Sequence, residues 1–184
     1  FRPETVAKQD AAHRQPARLF VNREPITLPL LPVPAADWWG AELKRWQEMA
    51  ASPDVPLLPS HPKIPVAMRH WASHMHNLAV QGTLAGEVTS ELLIIGVSDL
   101  AFVSAPGELF VELGLAIKAA LAPNHIFLCG FGNDDIGYIP TRLAYPQGGY
   151  EVAEAYKFYR YPTALAAEAG EQIVASAIRL FGHG

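Results

Sequence analysis

Hydrophobic and polar positions along the chain follow two rhythms, and their alternation predicts the elements. Arg18 to Leu31 reads as an extended strand, with Pro25 and Pro29 favouring a sheet edge because proline cannot donate to a ladder. Asp37 is a suitable N-cap for a helix to Ala51 that places Trp39, Leu43, Trp46 and Ala50 on one face. A second helix runs from Val66 to Val80 and stops at Gly82. Glu87 to Ile95 and Leu100 to Ser104 are apolar strands joined by Gly96-Val97-Ser98-Asp99. So short a link requires antiparallel pairing, since a parallel crossover needs a dozen or more residues. The spacing of Leu109, Leu113, Ala116, Ile117 and Ala120 predicts a helix over 107–121, ended by Pro123, with a strand from His125 to Gly130 after it. Thr163 to Phe181 closes the chain as an amphipathic helix with Ile173, Val174, Ala177, Ile178 and Phe181 as its stripe. The fold class expected is α/β: a mixed sheet with an antiparallel hairpin, flanked by helices. Residues 1–17 lack a clean period and read as a tail. The five prolines within 52–65 make that stretch a loop and the best internal linker.

Composition narrows the function. A hydrophobic content of 50% over 184 residues is enough for one real core. The net charge of -4, with no dense Lys/Arg run, argues against nucleic acid as the main partner. No apolar run reaches the ~18–20 residues of a membrane span, so no transmembrane segment is expected. The lone Cys129 cannot form an internal disulfide, which leaves the compartment open, and a buried structural thiol is its expected state. A start on Phe1-Arg2-Pro3-Glu4, without Met or secretory signal, reads as a piece of a longer product.

Three short words carry the candidate chemistry. They are Ala105-Pro106-Gly107-Glu108, the run Asn133 to Thr141 around Tyr138, and Gly148-Gly149-Tyr150-Glu151. In each, a backbone turn delivers one polar side chain after an apolar run. Taken singly they have plain explanations. Glu108 would be a helix N-terminal acid, favoured by ~0.3–1 kcal/mol. Tyr138 would be a half-buried aromatic, and Gly148-Gly149 a bend. Taken together they suggest a site. His70 and His74 lie one helical turn apart and could clip a metal, but no neighbouring acid completes them. His74 and His76 point to nearly opposite sides of a helix. These histidines are expected to serve surface or packing roles.

The run Asp99 to Gly114 containing Pro106-Gly107-Glu108, with Gly137-Tyr138-Ile139-Pro140-Thr141 and Gly148-Gly149-Tyr150-Glu151, resembles the C-terminal half of the catalytic domain of neutral/alkaline (non-lysosomal) ceramidases. The likeness is strong over roughly residues 90 to 151 and faint elsewhere. It implies Glu108 and Tyr138 as ligands of a catalytic Zn2+, completed by two histidines from an N-terminal half that this chain does not contain. It implies Tyr150 as the catalytic group that steadies the transition state. The implied reaction is hydrolysis of the N-acyl bond of ceramide or a similar lipid amide, a step in sphingolipid metabolism. On this reading residues 1–184 are the C-terminal part of a larger, soluble catalytic domain, inactive without its N-terminal half. A secreted or periplasmic setting would follow from the resemblance alone. Two other readings stay open: a non-catalytic binding or structural module on the same fold, and a hydrolase of a different amide or ester.

Overall fold

The computed structural model describes residues 17–52 and 64–182. The expected tail, apart from residue 17, and most of the proline-rich loop lie outside these residues. Strand β1 (Leu19–Pro29) is followed by helices α1 (Ala36–Ala51) and α2 (Ile64–Gln81), then β2 (Glu87–Val97) and β3 (Leu100–Ser104). Next come a two-residue strand β4 (Glu108–Leu109), α3 (Val111–Ala120), β5 (His125–Cys129) and a second short strand β6 (Tyr138–Ile139). A 3-10 turn at Arg142–Gln147, a short α4 (Tyr150–Ala153), a 3-10 turn at Ala155–Lys157 and the long α5 (Ala169–Phe181) complete the chain.

The main sheet has the order β1-β2-β3-β5, antiparallel at its first two junctions and parallel at β3–β5. It is therefore the mixed sheet expected, with the prolines of β1 on an edge. The hairpin is tighter than its sequence suggests. Val97 pairs with Leu100, leaving only Ser98 and Asp99 in the turn, with Ser98 at φ +57°. α2 already includes Ile64 and Pro65, ahead of the predicted Val66; in a first turn the missing amide of a proline costs nothing.

Alternation decides which face is covered. Val88, Leu92 and Ile94 of β2, with Ala101 and Val103 of β3, point to one side and meet Leu113 and Ile117 of α3 and Ile173 and Ala177 of α5. A second core joins Trp39 and Trp46 of α1 to Met68, Trp71 and Met75 of α2. The opposite sheet face carries Val21, Ile95, Phe102 and Phe127 as one cross-strand row, each at least 40% exposed. The two phenylalanine rings of that row stack at 5.3 Å between centroids.

 Their planes lie 25° apart, so each ring covers part of the other while their outer edges face solvent.

The C-terminal helix is shorter than its pattern. Residues 163–168 do not join it because their backbone is used elsewhere. The Leu31 amide donates to the Ala164 carbonyl at 2.8 Å and the Ala166 amide to the Pro29 carbonyl at 2.8 Å, around a bridge between Leu30 and Leu165. The helix therefore begins at Ala169. Among the described residues, no helix is long and apolar enough to cross a membrane.

Candidate functional site

The site is built where β3 and β5 end side by side, at the carboxyl ends of two parallel strands, a position where open α/β sheets commonly hold ligands. Ala105 continues the pairing, its amide donating to the Cys129 carbonyl at 2.9 Å, and Pro106 then turns the chain. Glu108 was expected to open a helix, and the structure corrects this. The Glu108 amide donates to the Gly137 carbonyl at 2.9 Å and the Phe110 amide to the Ile139 carbonyl at 3.1 Å. Amides engaged in this way hold Glu108 and Leu109 extended, and α3 starts only at Val111. The helix-dipole explanation of Glu108 falls with that; Glu112 is the acid of the first turn.

Pairing of β4 with β6 puts Glu108 directly opposite Tyr138. Strands lie ~4.8 Å apart, so side chains at one register position are neighbours. The Tyr138 hydroxyl lies within the electrostatic reach of the Glu108 carboxylate. Its pKa is raised, first by desolvation and then by the nearby Glu108 charge, because a second anion there would be repelled. Gly148 (φ +71°) and Gly149 (φ +103°) make the bend that brings Tyr150 back, and its ring meets Tyr138 edge-on at 6.0 Å between centroids. The three residues singled out from the sequence are thus gathered in one place, with Tyr150 49% exposed and so open to a ligand.

Sequence reading missed other members of this cluster. The Tyr159 ring fills the space that a Cβ on Gly137 would need, 2.8 Å from that position, and its hydroxyl is raised in pKa by desolvation and then by Asp135 and Glu108. Asp135 accepts the Gly137 amide at 3.1 Å and so shapes the turn leading to Tyr138. One signal was available: all six tyrosines of the chain fall between 138 and 161. Two of them, Tyr145 and Tyr156, are pushed up to about 12, chiefly by burial. A folded-state pKa above the ordinary 10.0 means that the folded form keeps its protons longest. Their contribution to stability is complete below about pH 10 and is lost as pH rises toward about 12. Chemical denaturation across the alkaline range should show that loss, and it should shrink in Tyr145→Phe.

A cleft of about 420 Å³ opens beside Glu108, with Leu109, Leu115, Leu128 and Phe131 among its walls. Cys129 lines it and is half-buried, which corrects the expectation of a buried structural thiol. His70 and His74 are exposed and line a different cleft that shares no residue with this one. His76 is half-buried and packs near Gly40. Among the described residues, no group of three or more His, Cys, Asp or Glu side chains is placed to hold a metal ion.

Fold and cluster together define an α/β domain with a carboxylate and tyrosine site at the carboxyl ends of its parallel strands. No protein-family model and no curated protein matches the sequence. Among solved structures, the chain is similar to a neutral ceramidase from Pseudomonas aeruginosa at 12% identity and a TM-score of 0.47, over 89% of this chain and 28% of that one. It is also similar to a ceramidase complexed with C2, at 19% identity and a TM-score of 0.41, over 50% of this chain and 14% of that one. The chain therefore spans well under a third of either structure.

Proposed function

We propose that this chain supplies part of the active site of a zinc-dependent, ceramidase-like amidohydrolase that cleaves the N-acyl bond of ceramide or a related lipid amide. The observation that carries the reading is the register pairing that sets Glu108 opposite Tyr138, with the Tyr150 ring packed against Tyr138. The motifs of these three residues are the ones that resemble the neutral ceramidases. The donor chemistry fits half of a zinc shell: a carboxylate and a phenol, both oxygen ligands, stand at facing register positions. A catalytic zinc usually has three protein ligands and an open position. Glu108 and Tyr138 would be two of its ligands, and histidine from a segment outside these 184 residues would supply the remainder. Bound there, the ion supplies Lewis acidity toward the amide carbonyl and toward water.

The remaining work belongs to the chain's own groups. Glu108 brings the negative charge that would hold a cation, and beside a cation Tyr138 would ionise more readily. The exposed Tyr150 hydroxyl is available to donate to the oxygen on which charge develops. The apolar cleft beside Glu108 suits an acyl chain. The exposed row of Val21, Ile95, Phe102 and Phe127 supports a further polypeptide packed on this domain, since exposed contiguous apolar surface commonly marks an interface.

Reconstitution tests the reading. This chain is expressed with the polypeptide encoded directly upstream of Phe1, and bound zinc and release of fatty acid from a fluorescent ceramide are measured. The pair is expected to bind zinc and hydrolyse ceramide, and this chain alone to bind zinc weakly and hydrolyse nothing. Full activity from this chain alone would overturn the assignment of the missing ligands and redirect attention to His70 and His74. A zinc-free, inactive pair would favour the non-catalytic module.

A further inference from the structure

A second cleft, of about 450 Å³, lies between α2 and the turn formed by residues 157–160. We propose that it binds a phosphate group carried on an apolar body. His70, His74, Lys157 and Arg160 line it, and among the described residues no carboxylate does. In a chain of net charge -4, such a grouping of basic side chains runs against the overall balance. His70 and His74 are four residues apart and so share one face of α2. Among the described residues, neither they nor Arg160 spend their side chains on a hydrogen bond or ion pair. Lys157 gives one bond to Glu154, at 2.6 Å, and keeps the other donors of its ammonium group.

The walls are fixed and apolar. Trp71 is buried, and its indole N–H donates to the Tyr161 carbonyl at 2.8 Å, tying α2 to the turn. Lys157 lies 5.7 Å from the Trp71 ring, held by cation–π attraction with its side chain only 10% exposed. Arg160 is held at φ +61°, a conformation that costs a non-glycine residue ~1–2 kcal/mol. Such strain persists where the surroundings enforce it, and it is concentrated at functional sites. Phe158 adds an exposed apolar surface beside these charges. A phosphate suits the set better than a carboxylate does, because three terminal oxygens and up to two charges can engage more of these donors. The group could arrive on a lipid headgroup or on a soluble phosphate ester. None of this depends on the zinc chemistry proposed above.

The test uses the full chain with two probes. Phenyl phosphate is titrated while the Trp71 indole N–H resonance is followed by NMR. Phosphatidylcholine vesicles with and without phosphatidic acid are used in sedimentation. The variant His70→Ala/His74→Ala/Arg160→Gly removes only exposed side chains, and glycine suits the backbone at 160. Saturable binding is expected in the wild type, weakened roughly tenfold or more in the variant, the loss that charged hydrogen bonds imply. Binding of phenyl phosphate alone assigns a soluble ester, binding only to phosphatidic acid vesicles assigns a lipid headgroup, and either supports the site. Lack of binding to both probes, or binding that the variant leaves undiminished, overturns it.

Discussion

Gly107→Ala is expected to pull β4 away from β6 and to cost ~1–3 kcal/mol, the usual range for forcing extra volume into a packed region. A Cβ at this position would lie 2.4 Å from the Gly137 carbonyl oxygen and 3.3 Å or less from Ile139 and Ile136. That oxygen is the acceptor for the Glu108 amide, so one added methyl group strikes the bond that aligns Glu108 with Tyr138. Gly137 has little room to retreat, with φ +86° and the Tyr159 ring packed over it. The loss of stability should appear as a lower urea midpoint. The part of the Tyr138 shift that comes from Glu108 should disappear as well, and a spectrophotometric tyrosine titration would detect a lower pKa. Gly148→Ala is the comparison. It meets nothing within 4 Å and bears only the strain of φ +71°. If Gly107→Ala is no less stable than Gly148→Ala and leaves the titration unchanged, the close approach of β4 and β6 is not what fixes the site.

The elements that were legible in the sequence are those whose pattern is longer than the local interruptions. The apolar runs of β2 and β3, the prolines of β1 and the helical spacing of Trp39 and Trp46 each specify an element without help from distant residues. β4 and β6 are two residues each, too short to show any period. They exist because segments far apart in sequence exchange backbone hydrogen bonds. The same cause removed residues 163–168 from α5: their carbonyls and amides pair with Pro29 and Leu31, a contact that helical spacing cannot reveal. For the site, the turns of Pro106-Gly107 and Gly148-Gly149 marked where side chains would be delivered. That Glu108 and Tyr138 stand opposite each other came only from the parallel pairing, and the place of Tyr159 only from its packing on Gly137.

Under the proposed zinc reading, Tyr138→Phe and Tyr150→Phe should fail in different ways in the reconstituted enzyme. Each removes one hydroxyl from a pair of rings in edge-to-face contact, so losses of packing should be small and alike. Tyr138 stands opposite Glu108, the other proposed ligand. Its loss should lower zinc content, and added zinc should restore part of the activity. Tyr150 does not face Glu108 across the β4–β6 pair and is proposed to donate only as charge develops on the substrate oxygen. Tyr150→Phe should therefore keep its zinc, keep KM nearly unchanged and lose roughly 10²–10³-fold in kcat, as removal of one oxyanion donor does. Glu108→Gln should resemble Tyr138→Phe but more severely, since it removes the charge that favours a cation. Zinc content by atomic absorption, measured beside kcat and KM, separates these outcomes. If Tyr150→Phe loses zinc as Tyr138→Phe does, the two phenols share one role and the division between ligand and donor is wrong.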